Sequence, residues 1–490
     1  MKSLPAAGRL PWRGKKRGVT KMKKLIFLSL FIPALLFSQW TEQTIPSGVG
    51  VLLTIDFADS TTGVAAGYKI VSQPEGRAIY TTNGGVDWYL AQLPDSSRSF
   101  LTVQLLNSTT GYCAGASNIS GDYLSTDTRG MFIKTTNSGH TWFSYGNLPQ
   151  GIYYLYGMYF VDLSTGYISA QNNPNQTSGE TIYKTTNGGL SWILSYSDPG
   201  TLGLENIYFI NNSTGFAVGK ASTNDTVYSS QGLIIKTTNS GVNWSRQLFY
   251  NMSTFTDISM INSTTGFACG GSNPSVIIRG TIYKTTNTGQ NWVKLNFQLE
   301  PARFGGIEFL PSSGTGICFG EKYDSLHICE KTIISKTTDY GNNWQTYYME
   351  NSQFFNSESN MLSSTNWYIC GGTFATARIL HTTNGGAIGI EPISSEIPNQ
   401  FSLSQNYPNP FNPSTKIKFD LPAVGQRHAF DVRLIIYDVL GREIATLVNE
   451  ELNPGMYEVT WDASSYPSGV YFYKLVTQDF SETKKMVLIK

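Results

Sequence analysis

An eight-residue motif that recurs seven times along the chain constrains its fold more than any other feature. Each copy, called a box below, reads Thr-Thr, then Asn or Asp, any residue, Gly, two further residues and, in the first six copies, Trp. The boxes begin at Thr81, Thr135, Thr185, Thr237, Thr285, Thr337 and Thr382. Successive boxes are 54, 50, 52, 48, 52 and 45 residues apart, a period that matches one four-stranded propeller blade. The repeat predicts an all-β fold with a seven-bladed β-propeller at residues 39–390.

A second repeated signature, an apolar triplet between two glycines, lies ahead of the boxes. It occurs at 63–67, 111–115, 215–219, 266–270 and 316–320, and 166–170 and 366–371 are variants of it. Alternating apolar stretches precede these segments. Together they predict the order within a blade: strand A, strand B between the glycines, strand C ending at the box, and strand D beginning at the Trp.

The third box position is always Asn or Asp, whose side chain accepts backbone N–H bonds in tight turns. Gly at the fifth position supplies a positive φ, and the Trp covers the hairpin. We interpret the third-position residues as structural, because a catalytic group is not needed seven times around a ring. They are Asn83, Asn137, Asn187, Asn239, Asn287, Asp339 and Asn384.

The ends of the repeat predict how the ring closes. The seventh box stops after Gly386 and lacks its Trp, whereas the segment from Trp40 to Thr44 is similar to the strand D openings at Trp244 and Trp344. We expect residues 40–44 to supply the outer strand of blade seven, which removes an open sheet edge.

The boxes resemble the Asp-box (BNR) repeat, and their pairing with Gly-Phe-Ala-x-Gly segments resembles the photosystem II assembly/stability factor propeller family over about residues 40–389. That resemblance implies a ring used as a binding scaffold, and it leaves the ligand unidentified because a fold does not fix a function.

Asp boxes also occur in sialidases, so a secreted sialidase-like glycoside hydrolase is the alternative. Those enzymes resemble six-bladed rings with an arginine triad, and no Arg-Ile-Pro motif occurs near this N-terminus. Asp122 and Asp127 share one loop, which is typical of a solvated turn, and we expect no enzyme and no catalytic residue.

The N-terminal segment predicts export. An apolar run at 25–37 follows Lys21, Lys23 and Lys24, which is typical of a signal peptide over residues 1–38. Met22 is the better start, and we interpret the residues before it as a gene-start artefact. The mature chain has no other apolar run long enough to span a membrane.

The C-terminal part differs in character from the repeats. Residues 391–400 carry Pro and Ser and predict a linker, and residues 401–490 predict a small Ig-like β-sandwich. Six strand-like runs support the sandwich: 415–419, 431–437, 443–448, 456–461, 470–476 and 483–489.

Four motifs in this part, at 406–413, 438–441, 468–473 and 484–490, resemble the type A sorting domain of the type IX secretion system. The resemblance implies the type IX machinery as a partner and a secreted or outer-membrane, cell-surface location reached through the periplasm. The motif residues that we single out are Tyr407, Pro408, Asn409, Pro410, Phe411, Gly441, Gly469, Tyr471, Lys484 and Lys485.

Repeat phasing sorts the propeller arginines by face. Connections B to C and D to A emerge on one face, and six of the seven arginines fall just before strands A or C on that face. Arg offers a planar fork for carboxylate, sulfate or phosphate, so this face is the candidate ligand-binding surface, with arginines chosen only for solubility as the alternative. The six residues are Arg77, Arg98, Arg129, Arg279, Arg303 and Arg378.

Composition excludes several other functions. Charged residues make up 14% of the chain and sum to a net charge of +1, which predicts neither nucleic acid nor an anionic membrane as a partner. Cys113, Cys269, Cys318 and Cys370 lie in apolar strand segments and predict buried thiols, with Cys329 in a polar loop. Four histidines without paired ligand spacing predict no metal site, and no cofactor is expected. The sequence predicts a secreted or cell-surface scaffold for an unknown protein or glycan partner.

Overall fold

The computed structural model describes residues 40–70, 74–118, 128–172, 179–222, 230–271, 280–299, 302–323, 329–349, 355–373, 376–383, 385, 391–394, 397–423, 430–463 and 466–490. Within these ranges every helix or strand is a β-strand, and the strands form nine four-stranded antiparallel sheets. The expected signal peptide, Arg279, Asn384, Asp122 and Asp127 lie outside the described residues.

The first four blades each consist of four strands that are consecutive in the chain. Blade one contains β2 (Val51–Phe57), β3 (Gly63–Ile70), β4 (Pro74–Thr81) and β5 (Tyr89–Leu90). Blade two contains β6 (Ser97–Leu105), β7 (Gly111–Asn118), β8 (Thr128–Thr135) and β9 (Phe143–Ser144). Blade three contains β10 (Tyr154–Phe160), β11 (Gly166–Gln171), β12 (Thr181–Thr185) and β13 (Ile193–Ser197). Blade four contains β14 (Thr201–Phe209), β15 (Gly215–Ser222), β16 (Ser230–Thr237) and β17 (Ser245–Phe249).

The remaining three blades include the one that closes the ring. Blade five contains β18 (Thr254–Met260), β19 (Gly266–Gly271), β20 (Gly280–Thr285) and β21 (Val293–Leu299). Blade six contains β22 (Ala302–Phe309), β23 (Gly316–Tyr323), β24 (Cys329–Thr337) and β25 (Gln345–Met349). Blade seven contains β26 (Phe355–Met361), β27 (Trp367–Thr373) and β28 (Thr376–Thr382), and its outer strand is β1 (Thr41–Glu42) from the other end of the chain. The seven-bladed ring is therefore present as predicted.

Strand B is deeply buried, because it lies between strands A and C and its two faces pack on neighbouring blades. All six residues of β11 and of β19 are buried. The second glycine of the signature is required by close approach: a Cβ on Gly219 would lie 2.0 Å from the carbonyl oxygen of Gly203 on strand A. The four cysteines that we assigned to the core are buried free thiols, as predicted.

Each described box is a hydrogen-bonded turn between strands C and D, illustrated by the third. Thr185 Oγ1 accepts the Gly189 N–H at 2.9 Å and donates to Asn187 Oδ1 at 2.9 Å. Asn187 Oδ1 also accepts the Ser191 N–H at 3.0 Å. The predicted role of Asn or Asp is therefore observed, and the first Thr of the box accepts the buried N–H of the fifth residue.

Two details of the box turn differ from expectation. The fourth residue also has positive φ, with a non-Gly residue there in four boxes: Ser138 (62°), Ser240 (57°), Thr288 (57°) and Tyr340 (61°). Strand D begins one residue after the Trp and not at it, since the Trp side chain turns inward to cover the hairpin. Trp142, for example, is buried and donates from Nε1 to the Gly139 carbonyl at 3.0 Å.

The N-terminal strand closes the ring as predicted. Thr41 pairs with His381 and Glu42 with Leu380 in an antiparallel register. Trp40 immediately precedes β1, just as the box Trp precedes the other outer strands, and it is buried against Trp367 with ring centroids 6.2 Å apart.

Residues 391–490 form two further four-stranded sheets. One contains β29 (Glu391–Ser394), β30 (Ser402–Leu403), β31 (Ser414–Leu421) and β34 (Gly455–Asp462), in the order β29-β34-β31-β30. The other contains β32 (Phe430–Tyr437), β33 (Glu443–Leu452), β35 (Gly469–Val476) and β36 (Ser481–Leu488), in the order β33-β32-β35-β36. One apolar core contains side chains of both sheets, including Phe419, Leu434 and Tyr473, so this part is a β-sandwich. The predicted linker is wrong for 391–394, because β29 pairs with β34 as an edge strand.

Candidate functional site

The directions of the strands place the described arginines of the predicted face at one end of the ring. Strands A and C run the same way in each antiparallel blade, so the beginnings of both lie at one end of the ring. Arg98 and Arg303 occupy the second positions of β6 and β22, and Arg129 the second position of β8. Arg77 and Arg378 lie further inside β4 and β28. The five described arginines therefore lie within strands A and C, whereas we expected them just before these strands. All five still lie toward one end of the ring, as predicted.

Three of these arginines are already engaged within the protein. Arg378 forms an ion pair with Glu42, and Arg77 forms one with Glu75. Arg98 Nη1 donates to the Pro74 carbonyl at 3.2 Å. Arg303 lies opposite Glu321 and interacts electrostatically with its carboxyl group. Arg129 and Arg303 are nevertheless the exposed members of the set, so the predicted anion-binding face depends mainly on these two.

A set of polar residues that the sequence analysis missed lies on the inner strands, around the propeller axis. Each strand A carries a polar residue at its next-to-last position, with further acids two residues earlier in blades five and seven. The next-to-last residues are Asp56, Gln104, Tyr159, Tyr208, Ser259, Glu308 and Asn360. A polar residue before the last apolar residue of each strand A was the available sequence signal.

Polar side chains bridge all seven blade interfaces, from the inner strands at six of them and from Ser169 of strand β11 at the interface of blades three and four. The first bridge runs from blade one to blade two, where Asp56 Oδ2 accepts the Leu105 N–H at 2.6 Å. In order round the ring, the remaining bridges are Phe160 N to Gln104 (2.6 Å), Ser169 Oγ to Leu204 O (2.9 Å), Asn206 Nδ2 to Asp257 (2.6 Å), Ile307 N to Asp257 (2.8 Å), Met361 N to Glu308 (2.9 Å) and Ile55 N to Glu358 (3.1 Å).

The four axial carboxyl groups are electrostatically unusual. Burial raises the pKa of Asp257 to about 6, that of Asp56 to about 7 and that of Glu308 to about 8. Burial also raises the pKa of Glu358 well above its ordinary value, and Asp257 and Asp56 add to this effect by repulsion. Asp257, Asp56 and Glu308 therefore take up and release protons near neutral pH. Among the residues that the structure describes, no group of three His, Cys, Asp or Glu could hold a metal ion.

Three exposed apolar side chains of the propeller, Ile70, Leu248 and Tyr250, lie at the ends of strands B and D, toward the arginine end. The other exposed apolar side chains of the described propeller lie at the opposite end, in the box turns, beside them, or at the starts of the outer strands. The residues are Val86, Tyr89, Leu90, Phe143, Leu163, Leu190, Ile193, Leu194, Val242, Val293 and Tyr340. This second candidate surface was not predicted, because its residues come from separate turns and outer strands that only the closed ring brings to one end.

The predicted sorting residues divide into buried and exposed members. Phe411 and Tyr471 are buried, and Tyr471 Oη donates to the Pro467 carbonyl at 2.7 Å. Asn409 Oδ1 accepts the Val487 N–H at 3.0 Å, and Lys484 lies 2.9 Å from Glu482. The exposed members include Tyr407, Gly441, Gly469 and Lys485.

Residues 405–490 match the family of secretion system C-terminal sorting domains. This segment is therefore a type IX sorting domain, and the chain is a β-propeller protein exported to the medium or the cell surface. No curated protein matches the sequence. In the described part of the chain, no helix has the length and apolar character needed to cross a membrane.

Two solved structures are similar in fold. A GH74 xyloglucanase from Xanthomonas campestris is 11% identical, with a TM-score of 0.51, over 85% of this chain and 63% of its own. PorZ, a surface component of the type IX secretion system of Porphyromonas gingivalis, is 12% identical, with a TM-score of 0.49, over 89% of this chain and 59% of its own. The chain thus spans less than two thirds of either protein, and at this identity the xyloglucanase supports the propeller fold alone.

Proposed function

We propose that the exported propeller is a non-enzymatic scaffold that binds a protein or glycan partner outside the cell. One observation carries the proposal: the four axial acids all accept hydrogen bonds that join neighbouring blades. Their carboxylates serve the ring itself, while Arg129 and Arg303 are exposed at its arginine face.

The arginine face favours an anionic partner. Arg129 and Arg303 present guanidinium groups, which bind carboxylate, sulfate or phosphate in a planar, two-point geometry. Arg77 and Arg378 are held by carboxylates of the same chain and contribute less free positive charge. An acidic polysaccharide or an acidic protein segment is the partner chemistry that fits this face.

The boxes support the scaffold proposal by their resemblance to Asp-box propellers. The side chains of their third residues form hydrogen bonds within the turn. For example, Asn83 Oδ1 accepts the Asp87 N–H at 3.0 Å. A residue used in this way stabilises the hairpin and offers little to a ligand.

A secreted glycoside hydrolase is the rival function, and the raised pKa values of Asp56 and Glu308 favour it, because a general acid needs a pKa near the working pH. Purified mature protein would be assayed against fluorogenic sialosides and a panel of polysaccharides. We expect no turnover. Turnover that Glu308→Gln or Asp56→Asn abolishes would make the protein an enzyme.

Binding would be measured on the same material with chondroitin sulfate and polygalacturonate as anionic probes. We expect the double variant Arg129→Glu/Arg303→Glu to bind at least tenfold more weakly. The single variants Arg129→Glu and Arg303→Glu should each bind more weakly than the parent protein. Lys294→Glu, a single charge reversal at an exposed position of the outer strand of blade five, is their matched control and should bind as the parent protein does. Equal loss in the three single variants would mean that net charge, and not the arginine face, governs binding.

A further inference from the structure

The sorting residues converge on one end of the C-terminal sandwich. Strand β32 ends at Tyr437, which pairs with Phe472 near the start of β35, and Gly469 at that start pairs with Leu488 at the end of β36. In the other sheet, Ser414 at the start of β31 pairs with Asp462 at the end of β34. The turn 438–442, the segment 407–413 and the C-terminus therefore share this end, called the apex below.

The buried sorting residues hold the apex together. Phe411 donates its N–H to the Val487 carbonyl at 3.0 Å and accepts the Ile489 N–H at 2.9 Å. Its ring packs on Trp461, with centroids 5.5 Å apart. The Lys490 N–H bonds to Ser468 Oγ at 2.9 Å. These contacts fix the two terminal segments of the domain on each other, and they leave Phe411 no surface to offer a partner.

The turn 438–442 is rigid but presents apolar side chains to water. Asp438 Oδ1 accepts the N–H groups of Leu440 and Arg442 at 2.9 and 3.0 Å. Gly441 has a φ of 76°, which closes the turn. Val439 is nevertheless 66% exposed and Leu440 is 74% exposed.

Two more exposed apolar side chains belong to the same end. Tyr407 is 79% exposed although its N–H is fixed on the Lys416 carbonyl at 2.9 Å, and Ile489 is 51% exposed. In the described part of residues 391–490, only Ile397 is another large apolar side chain with comparable exposure. Apolar exposure in this domain is thus concentrated at the apex, as in a protein-binding patch.

We propose that Tyr407, Val439, Leu440 and Ile489 form the surface by which the sorting domain docks on a component of the type IX machinery that presents an apolar patch. The proposal rests on the export function of this domain and adds where it is recognised. The buried sorting residues build the apex, and the exposed apolar residues touch the partner. Burying such side chains on a partner is favourable by about 25 cal/mol per Å² of apolar area, and a rigid turn loses little entropy on docking.

The test is secretion of the full chain in a type IX-competent host. The double variant Val439→Ser/Leu440→Ser should reach the medium or cell surface at least tenfold less than the parent and accumulate in the periplasm, with an unchanged melting temperature. Tyr407→Ser probes the same surface from another segment and should give the same defect, so a distorted turn cannot explain both. Ile397→Ser removes a comparably exposed apolar side chain of residues 391–490 that lies outside the apex, and this variant should be secreted normally.

The outcomes separate this proposal from the sorting function. A folded double variant that is secreted like the parent, while a chain without residues 391–490 stays in the periplasm, would overturn docking at the apex and leave sorting intact. Secretion of the shortened chain as well would overturn sorting itself. A parent protein that is a dimer in size-exclusion chromatography, with the double variant monomeric, would make the apex a contact between copies and overturn the proposal.

Discussion

Glu42 and Arg378 form a two-point ion pair, with Arg378 Nε 2.9 Å from Glu42 Oε1 and Nη2 2.7 Å from Oε2. The two residues are 336 positions apart, and their contact joins the first strand of the chain to the last blade. Exposed ion pairs contribute only about 0–1 kcal/mol. The burial of Trp40 against Trp367 is therefore the larger part of the closure.

Deleting residues 40–44 should destabilise the propeller strongly, because the deletion unpairs the edge of blade seven and exposes Trp367. Trp40→Ala alone should cost about 3–5 kcal/mol, the range for removing a large buried aromatic side chain. Glu42→Gln keeps the strand and weakens only the ion pair, so it should cost less than about 1 kcal/mol. Thermal unfolding of the three variants measures this order. Unchanged unfolding after the deletion would contradict closure by the N-terminus.

The box threonine should matter more than its exposed neighbour. Thr185→Val leaves the buried N–H of Gly189 without an acceptor, which costs about 1–3 kcal/mol. Thr186→Val makes the same chemical change at an exposed position and should cost less than about 0.5 kcal/mol. Urea unfolding of both variants compares them, and equal midpoints would show that the capping bond contributes nothing.

Glu308 should make the propeller less stable as the pH rises. Burial raises its pKa from an ordinary 4.5 to about 8, so the folded state binds the proton more tightly than the unfolded chain. The stabilising contribution is fully present below about pH 4.5 and is lost as the pH rises through about 8.

The measurement is the melting temperature between pH 5 and pH 9. Glu308→Gln keeps an oxygen for the Met361 N–H and does not titrate, so its melting temperature should fall less over this interval than that of the parent. Asp95→Asn, at an exposed position, is the control and should follow the parent. Parallel profiles for the parent and Glu308→Gln would remove Glu308 as the titrating group.

Local patterns predicted the ring, because each blade carries its own boxes, glycines and alternating strands, and Trp40 repeats the context of the box Trp. The axial bridges were not predictable in the same way. Asp56 and Glu308 read as outward polar positions of an amphipathic strand, and only closure of the ring brings them onto backbone groups of the next blade. Similarly, Glu42 and Arg378 are distant in sequence, so nothing local indicated that this arginine was already paired.

The linker interpretation failed for a related reason. Pro392 and the serines that follow disfavour a strand locally. Pro392 nevertheless lies on an edge strand opposite Tyr457, where a missing N–H is tolerated. Pairing with a strand about 65 residues later overrides the local preference, and a single sequence does not reveal such a pairing.

This edge strand determines where the two parts of the chain can be separated. Removal of residues 391–490 takes away both sheets of the sandwich and leaves seven complete four-stranded blades, so the propeller should stay folded and accumulate in the periplasm. Removal of 401–490 leaves the strand Glu391–Ser394 without its partner β34. This product should be more prone to aggregation, since an unpaired strand invites association.

Fractionation of a type IX-competent host, with thermal unfolding and size-exclusion chromatography of the periplasmic protein, tests both truncations. Loss of the cooperative propeller transition in the shorter chain would show that the ring depends on the sandwich, and efficient secretion of either shortened chain would show that export does not depend on it.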